Sequence, residues 1–225
     1  AYHLVGEYQL VDIGLPDGGE SLRSWQKVQT FIPDLDWVRQ VMPERPADAH
    51  KGTFGTALVI AGSLNYTGAA LLAGQAAYRA GAGLVTLGIP SPLHSALAGV
   101  FPEATWLLLP HEMGVISEPA VKIVLENLSR ITALLVGPGF GLEEATAEFI
   151  SHLIAGSKRG KSGKIGFVRE NAPLEESNRP ALPPLVIDAD GLKLLSKIPQ
   201  WQTILPMQSI LTPHLGEMSV LTGLS

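Results

Sequence analysis

From Thr56 onward the chain alternates short, nearly continuous apolar runs with segments of helical length. A run that is apolar at every position suits a strand buried on both faces of a parallel sheet. Strands are predicted at Thr56–Ala61, Gly83–Ile89, Thr105–Leu109, Ala133–Val136, Leu185–Asp188 and Ser209–Leu211. Helices are predicted between them at Gly68–Ala80, Pro92–Val100, Pro119–Leu128, Glu143–Ile154 and Gly191–Lys197. This βαβ alternation predicts an α/β fold, a doubly wound and mostly parallel sheet with helices on both faces.

The helix at Gly68–Ala80 is small or apolar at almost every position, with Gln75 and Arg79, spaced i and i+4, as its polar stripe. It should lie close against the sheet. Residues 1–47 read differently. The turn-rich run from Asp12 to Gly19 is followed by Pro33, Pro43 and Pro46, which suits a tail and linker ahead of a domain over 48–225. The polar insertion over 156–182, with Lys158, Arg159, Lys161 and Lys164, reads as a mobile surface loop.

At 225 residues and 46% hydrophobic, the chain can bury a substantial core. Sixteen Lys and Arg against 21 Asp and Glu leave a net charge of −5, which argues against a nucleic-acid partner. The absence of Cys removes disulfides, thiolate nucleophiles and Cys-type zinc sites together. No apolar run approaches the roughly 18 residues of a membrane span, and no signal pattern opens the chain, so no membrane partner and a cytoplasmic location are expected. His3, His50, His94, His111, His152 and His214 show no metal-ligand spacing, and no Ser sits in a G-x-S-x-G elbow. Gly156 and Gly160 are separated by three residues where a P-loop has four, and they follow a predicted helix instead of a strand.

In an open parallel sheet, ligands bind beyond the carboxyl ends of the strands. Four such loops carry chemistry. After the first strand, Thr67 can cap a helix opening with Gly68, Ala69 and Ala70, whose first turn has no acid and whose N–H groups suit an anion. After the fourth, Gly137, Gly139 and Gly141 let a ligand approach the backbone. Glu143 and Glu144 at the next helix start oppose a phosphate docked directly there and favour a sugar or base, or a phosphate only through a cation. Asp188 and Asp190 end a buried strand, where a carboxylate can hold a ribose hydroxyl or hydrated Mg²⁺, or Asp190 can cap the next helix. His214 follows the last strand, placed for hydrogen bonding or proton transfer, or as a structural imidazole. An ordinary capped helix that packs tightly remains the alternative for the first loop, and a tight strand-to-helix turn for the glycine loop after the fourth strand.

Six segments in order carry a resemblance: His50–Gly55, Ala61-Gly62-Ser63 with Thr67–Ala70, Arg79–Val85, Val136–Gly139, Ile187–Asp190 and Leu211–Glu217. Together they resemble the ADP/ATP-dependent NAD(P)H-hydrate dehydratases, a branch of the ribokinase-like fold, over about residues 48–225. The resemblance implies a repair lyase that restores hydrated NADH or NADPH at the expense of ADP or ATP with Mg²⁺, through phosphorylation of the hydrate's hydroxyl and elimination. It also implies that Gly68, Ala69, Ala70, Gly137, Gly139 and His214 line the hydrated nucleotide. Asp188 and Asp190 would lie near the phosphates or their Mg²⁺. Leu10–Pro16 is similar to the last strand of the NAD(P)H-hydrate epimerase domain often fused ahead of the dehydratase.

The family's Lys-Gly-Ala strand and its Gly-Gly-Thr-Gly-Asp loop, which carries the catalytic Asp, have no counterpart before Ser225. No catalytic residue is therefore assigned within these residues, which are expected to be inactive on their own, as part of a longer enzyme. An exposed sheet edge left that way would invite self-association. Two other classes share the same features: a ribokinase-like kinase for a sugar or vitamin precursor, and a non-catalytic nucleotide-binding module. A Rossmann oxidoreductase is disfavoured by the glycine spacing at Gly137–Gly141.

Overall fold

Every apolar run picked out above forms a strand. In the computed structural model, which describes residues 33–156 and 180–224, β1 (Thr56–Ile60), β2 (Leu84–Pro90) and β3 (Thr105–Leu109) come first. A small antiparallel hairpin, β4 (His111–Glu112) and β5 (Val115–Ile116), precedes β6 (Ala133–Val136), β7 (Leu185–Ile187) and β8 (Ser209–Leu211). Six of these make one parallel sheet in the order β3-β2-β1-β6-β7-β8. The chain winds outward from β1 to β3, returns to lay β6 beside β1, and winds outward again to β8. Strand order therefore reverses between β1 and β6.

The connecting helices are α2 (Thr67–Ala80), α3 (His94–Leu97), α4 (Ala120–Glu126), α5 (Glu144–Ala155), α6 (Asp190–Leu195), α7 (Trp201–Ile204) and α8 (Leu215–Thr222). The continuous helix expected over Pro92–Val100 is instead a 3₁₀ turn at Ser91–Leu93 running into the one-turn α3. Pro92 sits in the first turn, where its missing N–H costs nothing, and Gly99 follows the helix end. No helix among the described residues is long and apolar enough to cross a membrane.

Two apolar layers flank the sheet. Leu58, Ile60, Leu134, Val136, Leu185 and Ile187 pack with residues of α4, α5 and α6, including Val124, Phe149, Leu153 and Leu192. On the other face Val59, Val85, Leu87 and Ile89 pack with Ala70 of α2, Leu93, Leu97 and Phe101. The expected close approach of α2 is real: a Cβ on Gly74 would lie 2.8 Å from both Leu87 and Phe101. On this second face one row runs straight across the sheet through Leu87, Val59, Leu135, Val186 and Ile210. Leu87 and Val59 are buried, Leu135 and Val186 half-buried, and Ile210 is 60% exposed.

The chain divides into two compact units after Ala47. The described part of the first holds α1 (Leu35–Val41), capped by Asp34, whose carboxylate accepts the Trp37 N–H at 2.8 Å. The turn-rich Asp12–Gly19, the epimerase-like Leu10–Pro16 and most of the polar insertion lie outside the described residues.

Candidate functional site

The reversal of strand order between β1 and β6 opens a crevice at their carboxyl ends, the usual ligand position in open α/β sheets. Four loops meet there. The Gly62 N–H donates to the Pro138 carbonyl at 2.8 Å, joining the loop after β1 to the loop after β6 across the reversal. Gly139 has φ +68°, and a Cβ there would lie 2.5 Å from the Ala69 methyl and 2.9 Å from Tyr66 Cβ. Gly137 has φ +121°, and its Cβ would lie 2.1 Å from the Asp188 carbonyl oxygen and 2.8 Å from Gly191 Cα. The loop after β8 joins through Thr212, whose hydroxyl donates to Asp188 Oδ1 at 2.8 Å.

These contacts bring Ala69, Gly137, Gly139, Asp188 and Asp190 to one edge of the sheet, with His214 two residues beyond Thr212. Gly68 faces open space, with nothing within 4 Å of where a Cβ would stand. Ala70 is fully buried and packs in the core behind the loop. An apolar groove runs away from the crevice between Ala69, Leu72 and Ala73 on α2 and Pro138, Gly139 and Asp188. The small residues of α2 keep it open.

Thr67 does not cap α2 as the sequence suggested. Tyr66 occupies the cap, with φ −129° and ψ 46° and no side-chain cap bond. The Thr67 hydroxyl turns back to the preceding turn and donates to the carbonyls of Leu64, at 3.3 Å, and Ser63, at 3.5 Å. The first turn of α2 thus holds no acid and no capping side chain; the Ala69 N–H donates to the Tyr66 carbonyl at 3.1 Å, and the leading N–H groups before it suit an anionic or polar ligand. The hairpin braces this loop from outside, since the Leu64 N–H donates to the Gly114 carbonyl at 2.9 Å.

Asp190 does not cap α6 either. Ala189 holds that position with φ 53° and ψ −125°, an uncommon conformation for a residue with a side chain. Asp190 Oδ2 accepts the Gly141 N–H at 3.1 Å, and Oδ1 accepts the Lys193 ammonium at 2.9 Å. Lys193 escaped the sequence reading, although its i,i+3 spacing from Asp190 was a usable signal. The Asp190 hydrogen bond holds Lys193 above the ordinary lysine range against the opposing effect of burial, helped by the charges of Asp190, Glu217 and Tyr66.

His214 has a structural task. It caps α8, with Nδ1 accepting the N–H groups of Gly216 at 3.0 Å and Glu217 at 3.4 Å. An accepting Nδ1 assigns the proton to Nε2, which lies 3.3 Å from Glu217 Oε1, while the His214 backbone N–H donates to Oε2 at 3.1 Å. Glu217 is 5% exposed, whereas the His214 side chain is 71% exposed. The imidazole therefore shows its ring to solvent while both nitrogens are engaged.

Among the described residues, no group of three or more His, Asp or Glu could hold a metal ion. Asp188 Oδ1 takes the Thr212 hydroxyl, and Oδ2 has no protein partner among them. A divalent cation here would depend on ligand phosphates and water for most of its coordination, the usual habit of Mg²⁺ at nucleotide sites.

Residues 57–225 match the family model described as NAD(P)H-hydrate dehydratase, of the carbohydrate-kinase type. The chain is 32% identical over 221 residues to the bifunctional NAD(P)H-hydrate repair enzyme of Moorella thermoacetica, covering 98% of this chain and 37% of that protein. It is 30% identical over 184 residues to the ADP-dependent (S)-NAD(P)H-hydrate dehydratase of Staphylococcus aureus, covering 81% and 54%. The solved ADP/ATP-dependent NAD(P)H-hydrate dehydratase of Bacillus subtilis, co-crystallized with ATP/Mg2+, superposes with a TM-score of 0.56 at 30% identity, covering 84% of this chain and 54% of that one. The chain thus spans little more than a third of the Moorella protein and about half of the other two.

Proposed function

The chain belongs to the NAD(P)H-hydrate dehydratase family, and from that premise we propose that it serves ADP- or ATP-dependent repair of hydrated NADH or NADPH. The observation that carries this reading is the family match over residues 57–225, which takes in all four loops of the crevice. In the proposed reaction a phosphoryl group passes to the hydrate's hydroxyl, and phosphate then leaves as the neighbouring ring carbon loses a proton, restoring the reduced nicotinamide. The name fits a lyase built on a kinase fold.

In this reading the hydrated nicotinamide nucleotide lies over Gly68, Ala69, Gly137 and Gly139: the open space at Gly68 admits it to the backbone, while the missing side chains of Gly137 and Gly139 let the loops beneath it close on one another. The uncapped first turn of α2 supplies N–H donors to its polar groups. The exposed His214 ring packs against it, and Ala70 supports the loop from below. Mg²⁺, when bound, would neutralise phosphate charge, and Asp188, with one oxygen unpartnered among the described residues, is the residue to share in holding it. The same reading places the activity in the cytoplasm.

The 225 residues contain no Gly-x-Gly-Asp, the family's catalytic sequence, so the chain alone is proposed to bind hydrate without turning it over. The test is recovery of reduced-nicotinamide absorbance from NADH hydrate with ADP or ATP, using these residues alone and the native protein, whatever its length. Nucleotide-dependent recovery by the native protein and hydrate binding without recovery by the chain alone are expected. A product that retains phosphate would replace the dehydratase with a small-molecule kinase.

A further inference from the structure

We propose that Asp190 is a positioning residue whose carboxylate fixes the Gly137–Gly141 loop before a ligand arrives. This deepens the reading above, resting on it for the statement that the loop lines the hydrated nucleotide. Three of the loop's five residues are glycines at positive φ: Gly137 at +121°, Gly139 at +68° and Gly141 at +81°. Three glycines leave such a segment many backbone states to lose, so an outside constraint helps to hold one of them.

Besides the Gly62 N–H bond to the Pro138 carbonyl, the structure supplies three constraints in sequence. At the entry, Gly137 is wedged against Asp188 and Gly191. In the middle, the Phe140 ring is fully buried and meets Phe149 edge-on at 6.0 Å. At the exit, the Gly141 N–H donates to Asp190 Oδ2. That bond is the sole hydrogen bond from a side chain to this loop among the described residues. It closes a span of 49 positions, linking the loop after β6 to the start of α6.

The second oxygen of Asp190 is engaged as well. Lys193 holds Oδ1, and the carboxylate is only 19% exposed. Both oxygens are therefore spoken for within the protein, which distinguishes Asp190 from Asp188, where one oxygen has no partner among the described residues. The two acids of the Asp-Ala-Asp segment divide the work: Asp188 faces the crevice, and Asp190 sets the loop beside it. Lys193 orients the Asp190 carboxylate toward Gly141.

The experiment compares wild type, Asp190→Ala, Asp190→Asn and Lys193→Met in the native protein. It reads amide hydrogen exchange at Gly141, the Kd for NADH hydrate without nucleotide, and the Kd for Mg²⁺-ADP. Removing a charge-assisted bond in Asp190→Ala should speed Gly141 exchange and weaken hydrate binding by about tenfold each, with Mg²⁺-ADP affinity within about threefold of wild type. Asp190→Asn keeps an acceptor for Gly141 and should recover most of the hydrate affinity. Lys193→Met should fall between. An unchanged Gly141 exchange rate in Asp190→Ala, or a loss confined to Mg²⁺-ADP, would overturn the proposal. If Asp190→Ala fails to fold, the other two variants decide it, because an Asn as damaging as a lost acceptor would contradict a hydrogen-bonding role. Failure of wild type to bind hydrate would remove the functional reading, while Gly141 exchange would still judge the clamp.

Discussion

Gly137 and Gly191 meet backbone to backbone, so closely that a Cβ on either would sit 2.8 Å from the Cα of the other. Neither can yield without moving β6 or the start of α6. Gly191→Ala is expected to destabilise by about 1–3 kcal/mol through overpacking, and Gly137→Ala by more, since its φ of +121° adds backbone strain. Urea unfolding monitored by circular dichroism checks this as a lowered midpoint at unchanged slope. A midpoint within error of wild type for Gly191→Ala would mean that the contact relaxes without consequence.

Gly68 offers the contrast, because it lies in the first turn of α2 with open space where a side chain would go. Gly68→Ala should leave stability unchanged or raise it by about 0.4–1 kcal/mol, by reducing the freedom of the unfolded chain. Hydrate binding should nevertheless weaken, since the added methyl occupies the proposed ligand position. Thermal melting and titration on the same sample separate the two effects. Unimpaired binding would remove Gly68 from the ligand surface.

His214 serves both helix and ligand in this account, and two substitutions part these roles. His214→Ala removes the cap of α8 and should cost about 1 kcal/mol. His214→Asn replaces one cap with another, so stability should hold while the exposed ring is lost. Equal hydrate affinity in His214→Asn and wild type would confine His214 to capping.

The pH dependence of the Lys193–Asp190 pair follows from the direction of the lysine shift. A lysine raised in the folded state stabilises fully below its unfolded pKa of about 10.4 and loses that contribution as pH rises through the higher folded value. Lys193→Met should therefore lower the melting temperature by the same small amount from about pH 7 to 9, with the gap closing above about pH 10.5. Solvent screening keeps the effect small, because the lysine side chain is 36% exposed. A gap that widens at alkaline pH would reverse the assigned direction.

The sheet was legible because its central strands run apolar at successive positions, as in Leu58-Val59-Ile60 and Leu134-Leu135-Val136, and the few polar residues in the strands are single Thr or Ser. Helix α8 was not, because it inverts the usual rule: Glu217 is buried while Leu215, Met218 and Val220 are exposed. Its readable signal was the cap pairing of His214 with Glu217 three residues on, and Gly223 at its end. The two-residue strands of the hairpin are too short to leave a period. At the site, sequence identified the loops but not the bonds between them. Thr67 and Asp190 both look like helix caps locally, but Thr67 turns back to carbonyls of the preceding turn and Asp190 is drawn away by a tertiary contact. The Asp190–Gly141 contact joins residues far apart in the chain, which no local pattern encodes.

The row from Leu87 through Val59 to Ile210 passes from full burial to 60% exposure, and this gives the sheet an uneven resistance to opening. Detaching β8 uncovers little that is not already wet, so its amides can exchange through a local event of low free energy, whereas those of β1 wait for the whole sheet to come apart. The loop bearing Thr212 and His214 hangs on that loosest strand and is tied inward through Asp188. One wall of the crevice is thereby hinged on the most easily released part of the sheet, and a ligand that bridges from β1 to β8 would tighten the strand as it binds.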